Sequence, residues 1–160
     1  MHDANLCYIT KNNRVLLGYK KRGFGVDRWN GYGGKVKPDE SIESALVREL
    51  REESGLSVHE KNLKKVAVID FYFTNAPPGK DWDQTVHVYM VDVWEGQPVE
   101  TEEMRPQWFD FDKVPIHQMW ADDPYWLPLV LEGKKIRAEF TFGQDNSSIL
   151  KKKVDIVYNF

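Results

Sequence analysis

The chain has 160 residues, 41% of them hydrophobic, and its 22 Lys and Arg against 25 Asp and Glu leave a net charge of −3. A chain of this length is expected to form one domain, residues 1–160, and to bury roughly two-thirds of its unfolded surface, so it needs neither disulfides nor a structural metal to fold. Its single cysteine, Cys7 in the apolar run Leu6 to Ile9, excludes a disulfide framework, and no window reaches the roughly 18 apolar residues of a membrane span. Mild acidity also argues against a broad face for duplex nucleic acid.

Taken in order, Leu6 to Thr10 and Arg14 to Tyr19 read as a β-hairpin around Asn12 and Asn13. Gly23, Gly25, Gly31, Gly33 and Gly34 then crowd a segment expected to lack regular structure and to let backbone approach a ligand closely. From Ser41, a cap residue, the spacing of Ile42, Ala45, Leu46 and Leu50 predicts a helix that Gly55 ends. Lys65 to Phe73 and Thr85 to Trp94 read as paired strands, joined through Pro77, Pro78 and Gly79. A short strand at Gln107 to Phe111 precedes Asp122-Asp123-Pro124, which predicts a helix start with an acidic cap, and Tyr125 to Leu131 follow as a second helix. Ile136 to Phe142 and Ile149 to Val157 close the chain as a hairpin. The sum is an α+β fold with a mixed sheet and two helices.

The first helix contains a conflict. At 100° per residue, Glu49 and Glu53 fall on the side of Ile42, Leu46 and Leu50, and Glu52 lies beside them. Glu52 and Glu53 also occupy the last turn, where the helix dipole disfavours negative charge by ~0.3–1 kcal/mol each. One reading is a solvated patch with Arg48 and Arg51 as partners. The other is that a hard divalent cation, Mg2+ in the first place and Mn2+ as a substitute, neutralises three converging carboxylates and joins them to substrate phosphates.

The residues favour the second reading through a resemblance. Gly34, five residues, Glu40, seven residues, Arg48-Glu49-Leu50, one residue, Glu52-Glu53, one residue, Gly55-Leu56 is similar to the complete Nudix box over residues 34–56. That resemblance implies a Nudix α/β/α sandwich and metal-dependent cleavage of a nucleoside diphosphate linked to another group. It makes Glu49, Glu52, Glu53, the Gly33 carbonyl and a distant Glu103 the metal ligands. Glu53 is the first choice of general base and Glu52 the second, while Glu40 and Arg48 support the loop and helix.

The flanks Lys20 to Gly25, Arg28 to Val36, Glu103 to Pro106 and Met119 to Trp126 resemble the MutT-like branch of the family, which clears oxidised purine nucleoside triphosphates. By that resemblance Asn30 reads the purine edge, Trp120 stacks on the base and Asp122 with Asp123 bind its other edge. Asn5, Lys20, Phe24, Tyr32, Gly33, Gly34, Lys35, Phe71 and Phe73 complete the pocket. Exchange of one proton within the Asp122–Asp123 pair would then accommodate both 8-oxoguanine and 2-hydroxyadenine. Two features depart from the relatives: Asn5 replaces a Thr of the mammalian members, and the Thr74 to Gln84 connection is longer. The expected protein is a monomer acting on small-molecule purine nucleoside triphosphates, without stable nucleic-acid or membrane binding. Its expected setting is the cytoplasm, extending to mitochondrion or nucleus. Other modified nucleotides such as O6-methyl-dGTP, dinucleoside polyphosphates, and a non-catalytic nucleotide-binding role stand as the alternatives.

Overall fold

A computed structural model describes all 160 residues. Eight strands form one mixed sheet: β1 (His2–Lys11), β2 (Arg14–Lys20), β3 (Trp29–Asn30), β4 (Lys64–Phe73), β5 (Gln84–Val91), β6 (Met104–Asp110), β7 (Lys135–Phe142) and β8 (Ile149–Val157). Their order is β3-β2-β1-β5-β4-β7-β8, with β6 paired to β2 beside this path. The β1–β5 and β4–β7 pairs are parallel and the others antiparallel. Helix α1 (Ile42–Ser54) covers one face and α2 (Asp123–Leu131) the other. Neither is long and apolar enough to cross a membrane.

Strand periodicity explains how one central strand serves both layers. Successive side chains of β1 point to opposite faces. Cys7 and Ile9 therefore join Leu46 and Leu50 of α1, whereas Ala4 and Tyr8 join Trp126, Leu127 and Val130 of α2. Leu46 and Leu50 are fully buried, each worth roughly 1.5–3 kcal/mol in removed apolar surface.

The ends of α1 follow the sequence. Ser41 accepts the Ser44 amide at 3.1 Å, and Gly55, at φ 79°, donates its N–H to Arg51 O at 3.0 Å. Asn12 and Asn13, at φ 53° and 61°, make the tight β1–β2 turn, a conformation that Asn tolerates better than most residues.

Several boundaries differ from expectation. β1 starts at His2, because its first residues pair in parallel with β5 from Gln84 onward. The glycine segment is not wholly irregular: Trp29 and Asn30 form β3 against Tyr19 and Gly18, and Tyr32 and Lys35 bridge to Cys7 and Ala4. β6 begins at Met104 and ends before Phe111, whose amide turns aside to Asn13 O at 3.0 Å. Trp94 lies beyond β5, held by Trp108 at 5.7 Å and by the Lys11 ammonium at 5.3 Å. The acids before α2 do not cap it. Asp122 occupies the cap position with no side-chain capping bond, and Asp123 is already in the helix.

Candidate active site

The sheet face beneath α2 opens into a cavity of about 490 Å3. Alternation along the strands builds its floor, since Ala4 and Leu6 of β1 and Ile69, Phe71 and Phe73 of β4 are spaced two apart and face the same side. Loops and element ends supply the rim: Phe24 and Gly25, then Asn30, Gly31, Gly33, Gly34 and Lys35, then Trp82, then Trp120, Asp122 and Asp123.

At one end the cavity is acidic. Asp122 and Asp123 are buried at the start of α2. Asp122 Oδ2 accepts the Trp126 indole N–H at 2.7 Å, and Asp123 Oδ2 accepts the backbone N–H of Trp120 at 3.0 Å. Burial pushes both carboxyls upward, and the Asp122 charge adds to the rise at Asp123. Neutral donors meet each acid, and a carboxyl so placed keeps a proton that a charged partner would have displaced. Tyr8 is fully buried nearby, its hydroxyl without a hydrogen-bond partner and its ionisation opposed first by burial and then by both acids. Trp120 stands at the rim of this end, with the Arg28 guanidinium 4.4 Å from its ring centroid and Phe24 at 5.1 Å.

The other end belongs to the glycine segment and α1. Gly33 donates its N–H to Glu53 Oε1 at 3.0 Å, and Gly34 donates to Asn5 Oδ1 at 3.0 Å. Asn5 also gives Nδ2 to Ile42 O at 3.2 Å, so backbone groups engage both ends of its amide. Gly33 is sterically required, because backbone stands where its Cβ would be. A Cβ on Gly33 would lie 2.1 Å from Asn5 O, and one on Gly34 2.8 Å from the Glu49 carboxyl carbon. Glu53 is only 8% exposed. Burial foremost, then Glu49 and Glu103, raise its carboxyl to about 7 against the lowering by the Gly33 amide and Lys20.

The remaining acids are tied to cations. Arg48 grips Glu40 through Nε at 2.6 Å and Nη2 at 2.8 Å, holding that carboxyl down at about 2. Its Nη1 reaches Glu49 at 2.9 Å and Glu52 at 3.4 Å. Glu103 accepts from Arg22 at 2.7 Å and Lys20 at 3.4 Å, which lowers it.

Against the expected sites, the cavity gathers Asn5, Lys20, Phe24, Asn30, Gly33, Gly34, Lys35, Glu53, Phe71, Phe73, Trp120, Asp122 and Asp123. Tyr32 is not among its walls. Its ring is fully buried in the core beneath α1, with Cys7 and Leu50, because its backbone bridge to Cys7 turns the side chain inward. The expected convergence of three carboxylates is also incomplete: no three acidic, His or Cys side chains are gathered closely enough to enclose an ion. Glu49 and Glu53 share the inner side of α1, whereas the Glu52 side chain is 60% exposed and turned toward Arg48.

The donor chemistry nevertheless fits a hard divalent ion. All the candidate ligands are oxygens, and a buried Glu53 repelled by Glu49 and Glu103 is a conflict that a cation relieves. Glu49, Glu52, Glu53, Glu103 and the Gly33 carbonyl are the groups that would hold it. The sequence missed Trp82, Phe142 and Trp126 as walls of the cavity. Only the high aromatic content, 13% with six Trp, hinted at them.

The model of the NUDIX domain matches residues 1–130. The chain belongs to the Nudix family. An oxidized purine nucleoside triphosphate hydrolase of Danio rerio is 49% identical over 152 residues, 95% of this chain and 93% of that protein. The protein of the same description from Mus musculus is 48% identical over 155 residues, 97% of this chain and 95% of its own. In overall fold the chain is similar to a crystal structure of a MutT protein from Bacillus halodurans, with a TM-score of 0.81, 23% identity, and coverage of 97% of this chain and 98% of that one.

Proposed function

We propose that this protein hydrolyses oxidised purine nucleoside triphosphates, 8-oxo-dGTP and 2-hydroxy-dATP, to the nucleoside monophosphate and pyrophosphate, and thereby keeps mutagenic precursors out of DNA. The observation that carries this reading is one cavity with two chemically different ends: protonatable acids beside an aromatic platform at one, glycine backbone with Lys20, Lys35 and Glu53 at the other. The descriptions of relatives matched over nearly the whole chain support it.

At the base end, Trp120 supplies a stacking face and Asn30 an amide for the purine edge. Asp122 and Asp123, holding a proton between them, present a donor and acceptors to the opposite edge, and moving that proton reverses the pattern. At the phosphate end, Lys20 and Lys35 bring positive charge, and Gly33 and Gly34 line the cavity with backbone, packed closely on Asn5 and Glu49. Glu49, Glu52, Glu53, Glu103 and the Gly33 carbonyl would hold a divalent ion, Mg2+ with Mn2+ as substitute, which when bound would polarise the phosphate oxygens and acidify water. Glu53 accepts the proton of the water that attacks the β-phosphorus in line, with Glu52 the second choice for this role. Arg48 and Glu40 keep the end of α1 against the glycine segment. In the same proposal the protein works as a monomer on free nucleotides, in the cytoplasm and in the mitochondrion or nucleus.

The test is pyrophosphate release with Mg2+ over a panel of 8-oxo-dGTP, 2-hydroxy-dATP, O6-methyl-dGTP and dGTP. The oxidised purines should show the highest kcat/KM. Equal rates on dGTP, or preference for O6-methyl-dGTP, would overturn the substrate assignment, and absence of turnover on every member would overturn the enzyme assignment.

A further inference from the structure

Two large aromatic side chains at the cavity mouth are left partly in water: Phe24 is 57% exposed and Trp82 36%. They come from different loops and meet there, with ring centroids 6.1 Å apart. Phe24 also packs at 5.1 Å on Trp120, and Phe73 packs edge-on to Trp82 at 6.4 Å. The result is an aromatic wall that continues from the Trp120 platform through Phe24 to Trp82, all three lining the same cavity. Partly exposed aromatic faces turned to a cavity gain when a flat ligand covers them.

Trp82 is presented by a fastened segment. The connection between β4 and β5 is tied at its first foot to the β7–β8 turn, where Thr74 Oγ1 donates to Phe142 O at 3.0 Å and Gln144 Nε2 donates to Thr74 O at 2.8 Å. At its second foot, His2 N donates to Asp83 O at 3.0 Å and Asp83 Oδ1 accepts the Phe73 amide at 2.9 Å. His2 Nε2 lies 3.0 Å from Asp81 O. The backbone that presents the indole is therefore held at both feet, which lowers the cost of ordering this segment when a ligand arrives.

We propose that Trp82 is a substrate-binding residue that completes the base-binding wall and contributes affinity for the purine ring without reading its edge. This rests on the nucleotide reading above and deepens it. Trp82 has no hydrogen bond into the cavity, so its contact is with ring area and is alike for oxidised and ordinary purines. Its ring neighbours in the wall are Phe24 and Phe73, and in this proposal it has no part in holding the phosphates.

The experiment measures binding by calorimetry and turnover for Trp82→Ala and Trp82→Phe beside the unaltered protein. For Trp82→Ala, the affinity for 8-oxo-dGMP and for dGMP should each weaken about tenfold, their ratio unchanged, while that for inorganic pyrophosphate with Mg2+ stays within twofold. KM for the triphosphate should rise with kcat held within twofold, the signature of lost uniform binding. Trp82→Phe should recover most of the loss. The proposal is overturned if purine monophosphate affinity is unchanged, if pyrophosphate binding weakens equally, or if only one of the two purines is affected. Because the readout is binding of monophosphates, a failure of the hydrolase reading appears separately, as an unaltered protein that binds 8-oxo-dGMP but releases no pyrophosphate.

Discussion

The two helices each bring carboxylates to the cavity, and they treat them in opposite ways. At the C-terminal end of α1, Glu49 and Glu52 are matched by Arg48, and Glu103 on its neighbouring loop by Arg22 and Lys20. At the N-terminal end of α2, Asp122 and Asp123 meet only an indole N–H and a backbone amide. The Arg22 and Lys20 charges lower the Glu103 carboxyl, whereas burial among neutral donors leaves Asp122 and Asp123 raised. One cavity thus has an end where arginine and lysine pair with the acids around a buried Glu53, itself raised to about 7, and an end where two buried acids meet only neutral donors.

The largest expected break in that division comes from Glu53. Glu53→Gln retains an acceptor for the Gly33 amide but removes the base. Turnover should fall at least about a hundredfold with the thermal midpoint little changed. Near-normal turnover in saturating Mg2+ would remove Glu53 from the mechanism. At the other end, Asp122→Asn fixes one hydrogen-bond pattern. The ratio of kcat/KM for 8-oxo-dGTP over 2-hydroxy-dATP should move by about tenfold, the scale of one hydrogen bond gained or lost, and an unchanged ratio would refute proton exchange within the pair.

Stability sharpens the contrast further. Arg48→Ala strips the partners of Glu40 and Glu49 and should lower the thermal midpoint by roughly 3–6 °C, whereas Asn at both α2 positions should not. The pH dependence has a definite sign. A carboxyl whose folded value is raised binds more protons folded than unfolded, so its stabilising contribution is present at low pH and is lost as pH climbs from the unfolded value of roughly 3.9 toward the folded one. Asp122 and Asp123 are both raised. The midpoint of the Asp122→Asn, Asp123→Asn double variant should therefore gain on that of the unaltered protein as pH rises above about 4. A difference that stays flat from pH 4 to 7, roughly the span in which such carboxyls titrate, would show that the pair is not held protonated.

Local signals were legible where chemistry is local. The cap Ser41, the terminator Gly55 and the turn residues Asn12 and Asn13 act where the sequence places them. The acids before Pro124 read as helix caps, yet Asp123 reaches back to the Trp120 amide and Asp122 to Trp126, because burial under the sheet offers them those donors in place of solvent. Tyr32 sits in a segment rich in pocket residues, and only the antiparallel bridge to Cys7 reveals that its ring goes to the core. Trp82 was invisible for a related reason. It reaches the cavity because the β4–β5 connection is fastened to His2 and Gln144, contacts made across the sheet and not along the chain.

Asn5 links the strand at the centre of the sheet to the loop and helix that frame the phosphate end. Its backbone N–H goes to Gly34 O, its side-chain oxygen takes the Gly34 N–H, and its amide nitrogen holds Ile42 O. The glycine segment therefore cannot detach piecemeal while β1 stays paired. In deuterium exchange its amides should release their protons together with those of the central strand, as one cooperative unit.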